Sequence, residues 1–475
     1  MSEEKVVMFG TGEDLNKCLG ILREQGIEPY CFTDNDSSKW GTVLEGKKII
    51  APQELTQIDC QIVISTSDYK AQIMEQLKEA GLTNRILEYE PIFRRFIEKK
   101  ANEYHVDKII IHNEECILFD AFMGKGWAGD SQYACCIAAC LKERGYDTHV
   151  YARDSLLRQE DKTEKLIQRF PWHRERYWDT MLPIIKDMEQ RLPFVLIANT
   201  LEYVMAAAYI LKQKYPDKVR IISVVHNDNY SLYEKQAQWQ DSLEKILGIS
   251  RKIRQSLEEK WQIPTEKLYY KVNPVLWEES ETKEEADVES RQEICDGPIR
   301  IGWGGRLVTS QKRADLLPDL IKEIEKRKVD YCLEIAGDGD CYPMIETYLK
   351  QNGLEERVHL LGRLEHHMMR KFWSRQQVYI NISEYEGSCL AMLEAMECGV
   401  VPVVTDVSGV EDVIDNGRTG FRVGIGKVKQ IAEKITYLTE HPEKIKQMSQ
   451  QAMEIVKVQC GLHQYIDYME DLIKQ

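Results

Sequence analysis

The 475-residue sequence is sparing in proline and glycine, with 14 and 28, and contains no tract built from a few residue types. Collagen-like, fibrous and low-complexity disordered chains are thereby excluded. It has no surplus of positive charge. Its 63 Lys and Arg face 78 Asp and Glu, a formal net charge of −15 at pH 7. A nucleic-acid binder relying on bulk positive charge is excluded, only a local basic groove staying open, and no nucleic-acid partner is expected. No apolar run approaches the ~20 residues of a membrane-spanning helix. The longest, around Val204 to Leu211, is far shorter. Met1 to Lys5 lead straight into a strand-like stretch, without the basic and apolar regions of a signal peptide, so a cytoplasmic location is expected. The 13 cysteines include no pair of Cys-x-x-Cys elements at zinc spacing. Free thiols in a reducing compartment are the plain reading, and no metal site is expected. At ~150 residues per domain, the length suggests about three domains.

What is present is a repeated alternation of short apolar runs with helix-length amphipathic ones, the pattern of α/β folds with parallel sheets. Residues 1–100 form a first series, with strands predicted at 5–10, 28–33, 61–65 and 85–89 and helices at 14–25, 69–80 and 93–103. A second, in 105–285, has predicted strands at 108–111, 116–119, 147–151, 194–198 and 219–225, short candidates at 245–250 and 268–271, and a helix at 131–144. Residues 277–295 are acidic and poorly periodic, and read as a linker or surface loop. A third series, in 296–455, has predicted strands at 299–303, 331–336, 358–361, 378–382 and 401–405 and helices at 314–328, 344–351, 367–374 and 389–398. Residues 428–475 read as two or three helices. Three Rossmann-like units are expected. The last two form a matched pair, and such pairs hold ligands beyond the carboxyl ends of their strands.

The most informative stretch runs from Ser383 to Met396. It turns at Gly387 and then becomes helical. The first helical amides lack partners and face the positive end of the helix dipole, so a phosphate at Ser388, Cys389 and Leu390 is well accommodated. Glu386 precedes this helix and Glu394 lies about two turns inside it. Eight residues at a rise of ~1.5 Å separate them by ~12 Å. That is about the span from a hexose, across a diphosphate, to a ribose. Taken alone, the two acids are more simply a loop acid and an ordinary helix residue. The basic loop from Gly302 to Arg313 changes the balance. There a strand ending in glycines delivers Arg306 and Lys312 near the same crevice. Fixed cations stabilise the charge of a leaving nucleoside diphosphate without reorganising, arginine gripping two oxygens and lysine acting as a point charge. No divalent metal and no other cofactor is then required. The alternative for both residues is a solvated surface cation.

Gly305-Arg306-Leu307 with Lys312, Ala336-Gly337-Asp338-Gly339, Leu361-Gly362, Glu386 with Glu394-Ala395-Met396, and the run Gly399 to Val404 together resemble the retaining glycosyltransferases of family 4. Those have the GT-B architecture of two facing Rossmann-like domains. The resemblance covers residues 108–475 and is dense over 299–423. It implies an acceptor-side domain in 105–285, a nucleotide-sugar donor domain in 296–455, and a C-terminal helix in 456–475 packing back across them. It implies that Arg306 and Lys312 bind the diphosphate. Glu386 would hold the donor sugar, aided by amides of Gly387 to Leu390, and Glu394 the ribose. Arg363 and Leu364 would border the nucleobase. Arg306 and Lys312 stand one residue further apart than in many members, which leaves Arg313 as a substitute for Lys312. His226, in Val224-Val225-His226-Asn227, resembles the family's strand-end histidine, with polar contact to the donor sugar implied instead of metal ligation. In the glycine-containing loop 124–130, Gly126 or Gly129 would let backbone approach a phosphate or acceptor, while Asp130 is alternatively a helix N-cap.

Ahead of this, Gly10-Thr11-Gly12 lacks the third glycine of a dinucleotide fingerprint, Leu15 standing in its place. Asp34 ends the second strand, about where a ribose-binding acid would lie. This unit resembles the N-terminal nucleotide-sugar-binding domain of some bacterial sugar acetyltransferases, and fits equally a degenerate domain that packs or recruits a partner protein. Residues 165–178 mix Arg169, Arg174 and Arg176 with Phe170, Trp172, Tyr177 and Trp178. Such a patch either touches anionic lipid or covers the domain as partly buried chain. The expected activity is transfer of a hexose from a nucleotide sugar, a UDP-sugar, to a glycan or lipid-linked acceptor in polysaccharide or cell-envelope assembly, in the cytoplasm or peripherally at the inner face of the membrane. The rivals are a nucleotide-sugar 2-epimerase of the same fold and a non-catalytic nucleotide-sugar-binding scaffold.

Overall fold

The computed structural model describes residues 5–12, 15–66, 69–106, 111–122, 129–153, 165–171, 173, 176–277 and 297–475. The predicted strand 108–111 falls almost wholly outside these, as do Gly126, Trp172, Arg174 and the acidic stretch from 278 onward.

The first sheet holds β1 (Val6–Phe9), β2 (Pro29–Thr33), β3 (Val43–Leu44), β4 (Lys47–Ile50) and β5 (Gln61–Ile64), in the order β3-β4-β2-β1-β5. Its pairs are parallel apart from β3–β4, a hairpin absent from the sequence reading. The two-residue turn Glu45-Gly46 has positive φ at both positions, +48° and +74°, which suits the twist of a hairpin. The predicted strand at 85–89 is not one. Thr83–Arg85 is a 3₁₀ turn, and Tyr89 opens the helix Tyr89–Glu103. Ile86 makes an isolated parallel bridge to Ile62 of β5, with Leu87 N donating to the Ile62 carbonyl at 2.8 Å, and Tyr89 then joins a buried helical face with Ile92, Phe93, Phe96 and Ile97.

The second sheet holds β6 (Cys116–Ala121), β7 (Thr148–Arg153), β8 (Ile167–Phe170), β9 (Phe194–Ala198), β10 (Val219–Val225), β11 (Lys245–Gly248) and β12 (Leu268–Tyr270), in the order β12-β11-β10-β9-β6-β7-β8. Strand β8 and the helix Tyr177–Glu189 take up the stretch considered above for lipid contact. Much of its aromatic content packs internally. Phe170 stacks on Tyr151 at 5.4 Å, Tyr177 is fully buried, and Trp178 meets Tyr104 edge-on at 6.3 Å.

The third sheet holds β13 (Ile299–Gly304), β14 (Tyr331–Ala336), β15 (Val358–Gly362), β16 (Val378–Asn381), β17 (Val401–Thr405) and β18 (Phe421–Val423), in the order β15-β14-β13-β16-β17-β18, with every pair parallel. Three helices follow it, Val428–Glu440, Pro442–Gln459 and Leu462–Lys474. In the second and third sheets the first strand lies inside the sheet and the order reverses beside it, the 3-2-1-4-5-6 arrangement. The reversal places a ligand site beyond the carboxyl ends of β6 and β9, and another beyond those of β13 and β16.

The chain divides into two compact units. The first comprises residues 1–225, 229–247 and 257–268, with the first sheet and most of the second; the other comprises 226–228, 248–256 and 269–475. Within the first unit, Phe93 packs edge-on against Tyr177 at 5.4 Å and Trp239 at 6.0 Å, so the N-terminal helix Tyr89–Glu103 is seated on the second sheet's aromatic residues. Glu90 is buried at this junction among Glu202, Glu234, Lys17 and Lys235, and burial, reinforced by the Glu202 charge, pushes its carboxyl from 4.5 up to about 7. The seated state therefore binds an extra proton between those values. Its stability falls as pH rises through that window and levels off above it. Glu90→Gln is expected to abolish this slope and to melt above the native protein at pH 8 but not at pH 5, by scanning calorimetry. Parallel melting curves across the range would contradict the assignment.

Candidate functional site

Beyond the end of β13, Gly305 takes φ +153° and the chain passes very close to β14's successor, Gly337. A side chain on Gly337 would put its Cβ 1.9 Å from the Gly305 carbonyl oxygen. This close approach shapes the loop that carries the cations. Arg306 is exposed and donates to Gln311 Oε1 at 2.7 Å. Lys312 Nζ donates to Glu386 Oε1 at 2.6 Å, and Gln311 Nε2 lies 3.5 Å from Glu386 Oε2 and 3.4 Å from Asn227 Oδ1. Glu386 is 4% exposed and also accepts from Ser383 Oγ at 2.6 Å and Asn381 Nδ2 at 3.3 Å. Burial pulls the Lys312 ammonium down, but the facing carboxylate outweighs it and holds the group above its ordinary range, so it is charged at neutral pH. Arg313 does not substitute for it. That guanidinium is engaged by Asp315 at 3.2 Å and Glu384 at 2.9 Å, from a backbone position with φ +48°.

The turn after β16 is equally constrained. A Cβ on Gly387 would stand 1.8 Å from the His226 carbonyl oxygen, and Asp228 N donates to the Glu386 carbonyl at 3.2 Å. Cys389 takes φ +46°, tied by Tyr379 Oη at 3.2 Å and Asn381 Nδ2 at 3.0 Å, so the helix begins at Leu390 and runs to Glu397. This corrects the predicted helix start, and the ~1.5 Å rise applies only from Leu390 to Glu394. Ser388 Oγ, just ahead of that helix, is buried with no hydrogen-bonding partner among the described residues. A buried hydroxyl in that state at a helix N-terminus is suited to an anionic ligand. His226 is 8% exposed, and burial pushes its imidazole down to about 3, so it is neutral in the physiological range.

The structure thus joins Arg306, Lys312 and Glu386 through Gln311, and sets Gly387, Ser388 and His226 against them. Glu394 has a different partner. It is buried, and His366 Nε2 lies 3.3 Å from its Oε1, with the His366 ring stacked on Trp277 at 5.0 Å. Arg363 is exposed just after β15, and Leu364 is half-buried. Sequence reasoning missed Gln311, Asn381, Ser383 and His366 as parts of the site. Gln311 and Ser383 stood inside stretches already singled out, whereas nothing local marks His366.

At the second sheet's reversal, Asp120 ends β6 fully buried and accepts from Asn199 N at 2.6 Å, Thr200 N at 2.7 Å and Leu201 N. It fixes the turn that leads into the helix Glu202–Lys214, a role invisible in the sequence. Gly129 opens the helix Gly129–Glu143, so Asp130 lies in its first turn and is not the N-cap. In the first sheet, Gly10 ends β1 with φ +106°, and a Cβ on Gly12 would meet no atom within 4 Å. Asp34 Oδ2 accepts from Thr11 N at 2.9 Å, from the Thr11 hydroxyl, and from Lys39 Nζ at 3.1 Å; Oδ1 accepts from Asp36 N at 2.9 Å. Burial raises its pKa, but the Thr11 and Asp36 hydrogen bonds together outweigh burial and leave it below the usual carboxylate range. Cys116, Asp147 and His149 form the one metal-capable group among the described residues, their ligand atoms within 4.8 Å. Arg191 already donates to His149 at 2.7 Å and Lys142 to Asp147 at 3.2 Å, and burial pushes the Cys116 thiol up to about 12, so this is a hydrogen-bonded cluster at the amino ends of β6 and β7.

Residues 289–455 match the family model described as glycosyl transferases group 1, and residues 2–87 match the one described as C2185-like, N-terminal. The first of these matches spans the third sheet and the helix Val428–Glu440. The alpha-D-kanosaminyltransferase of Streptomyces kanamyceticus is 24% identical over 233 residues, 48% of this chain and 60% of that protein. The N-acetyl-alpha-D-glucosaminyl L-malate synthase of Bacillus anthracis is 26% identical over 167 residues, 35% of this chain and 43% of that protein. These matches span less than two thirds of either relative. Among solved structures, Anabaena HepE in complex with UDP and glucose superposes with a TM-score of 0.61 at 15% identity, over 76% of this chain and all of that one. The α/β fold with parallel sheets is that of glycosyltransferases of GT-B type.

The Gly387 contact makes a sharp prediction. Gly387→Ala is expected to lower the stability of the third-sheet unit by about 2 kcal/mol or more, read as a lowered melting temperature, while Gly12→Ala melts like the native chain. Equal melting of the two variants would contradict the geometry.

Proposed function

We propose that the chain is a retaining glycosyltransferase that moves a sugar from a UDP-sugar to a glycan or lipid-linked acceptor, in polysaccharide or cell-envelope assembly and without a divalent metal. The observation that carries this reading is the Lys312–Glu386 pair, set beside Arg306 and the buried Ser388 hydroxyl at the reversal of the third sheet. Support comes from HepE, which holds UDP and glucose in its structure, and from relatives whose names describe transfer or attachment of amino sugars.

On this reading the donor diphosphate lies at the start of the helix Leu390–Glu397, between its amides and the two cations. Lys312 exchanges part of its contact with Glu386 for the phosphate, and the freed carboxylate oxygen accepts from a donor-sugar hydroxyl. As the glycosidic C–O bond breaks, its electron pair goes to the β-phosphate oxygen, where Arg306 and Lys312 already stand. Such preorganised charge acts strongly in a site screened from water. The acceptor hydroxyl forms the new C–O bond on the same face, and its proton passes to the leaving phosphate oxygen. His226, neutral by burial, serves as a hydrogen-bonding contact and not as a cation. Glu394, steadied by His366, holds the ribose.

Assayed against a panel of UDP-sugars in the presence of EDTA, the native chain is expected to transfer sugar at full rate. Lys312→Ala and Glu386→Gln are expected to fall by about 100-fold or more in kcat while keeping the native circular-dichroism spectrum, Lys312→Ala melting below the native chain because it leaves the Glu386 carboxylate unpaired. Undiminished turnover in either variant, or strict dependence on Mn²⁺, would contradict the scheme. Conversion of a UDP-sugar to its epimer without acceptor would favour the epimerase.

A further inference from the structure

The first sheet also reverses, between β1 and β5, so its own ligand face is the carboxyl end of those strands. Two helices start from that face, Leu15–Glu24 after the Gly10-Thr11-Gly12 turn and Lys70–Glu79 after β5. Each carries a lysine in its first turn, Lys17 and Lys70. In a nucleotide-binding module of this topology, these helix starts and their cations would meet the phosphates.

Here both positions are taken by carboxylates of the same chain. Lys17 Nζ pairs with Glu202, the first residue of the helix Glu202–Lys214, and Lys70 Nζ pairs with Glu234 in the helix Tyr230–Trp239. The second pair is deeply buried, its side chains 7% and 5% exposed. The remaining Glu202 oxygen accepts from the Tyr89 hydroxyl at 3.2 Å, and the Tyr230 ring lies under Lys70 at 5.7 Å. The coulombic pull of Glu202 overcomes burial and raises Lys17 well above its ordinary range. Asp34, the remaining element of a nucleotide site, is already filled by Thr11 and Lys39.

We propose that the ligand face of the N-terminal module is an internal docking face whose partner is the pair of helices Glu202–Lys214 and Tyr230–Trp239. Glu202 and Glu234 stand in for the phosphate oxygens of a nucleotide. Admitting a nucleotide would strip half-buried Lys17 and buried Lys70 of their partners and leave two buried acids unpaired, which is strongly unfavourable. The module therefore braces the second sheet and is not a second nucleotide-sugar site. This holds whatever reaction the third sheet supports.

Hydrogen–deuterium exchange on the full chain tests it, alone and with millimolar UDP or UDP-N-acetylglucosamine. The expected result is slow exchange in residues 15–24 and 70–79, unaltered by either nucleotide. In Glu202→Gln with Glu234→Gln, exchange in both helices rises about tenfold while the third sheet is unchanged. Lys17→Glu with Glu202→Lys restores slow exchange in residues 15–24. Protection of residues 10–12 and of these helix starts by nucleotide in the native chain would overturn the proposal. So would native exchange in the double glutamine variant, or a reversed pair no slower than Glu202→Lys alone.

Discussion

A lysine and a glutamate held 2.6 Å apart at the reversal of a parallel sheet set the requirements for the rest of the third-sheet unit. An ammonium and a carboxylate so thoroughly withdrawn from water must satisfy one another, and each needs further polar neighbours. Ser383, Asn381 and Gln311 supply them to the carboxylate. The backbone supplies the rest of the constraint, because Gly387 and Gly337 let neighbouring chains approach where a side chain would collide. The result is charge and dipole fixed in advance at one place. In the proposed reaction nothing needs to reorganise there when the phosphate takes up negative charge.

The first unit uses buried charge differently. Lys17, Lys70, Glu202 and Glu234 join two sheets that are far apart in sequence, and the aromatic contacts of Phe93, Tyr177 and Trp239 surround them. Ion pairs of this kind add little net stability over a well-packed apolar junction, but breaking one half costs a great deal. They fix how the sheets seat. Glu90 makes no ion pair among the described residues, and burial, reinforced by the Glu202 charge, raises its pKa there.

Much of this was legible in the amino-acid order. The strands 194–198 and 401–405 are buried on both faces, and their apolar runs announce their own bounds. The glycines after 303 and at 387, and the charged residues beside them, were legible because tight turns and helix starts demand particular residues. Other features depend on contacts between residues remote in sequence. Residues 85–89 have strand-like composition, yet they give the sheet no more than an isolated bridge from Ile86 to Ile62 before Tyr89 joins the helix face it shares with Phe93 and Phe96. His366 gains meaning only from Glu394 and Trp277, and Asp120 only from three amides about 80 residues later. Arg313 and Lys312 look interchangeable until the positive φ at Arg313 directs its guanidinium to Asp315 and Glu384.

The central claim is that fixed cations at the third sheet's reversal grip a diphosphate. Calorimetric titration of the native chain and of Lys312→Met with uridine and with UDP tests it most directly. The native protein is predicted to bind UDP about a hundredfold tighter than uridine, and the substitution to erase most of that difference while leaving uridine binding intact. Equal affinity for the two ligands in the native chain, or an undiminished preference for UDP in the variant, would contradict it.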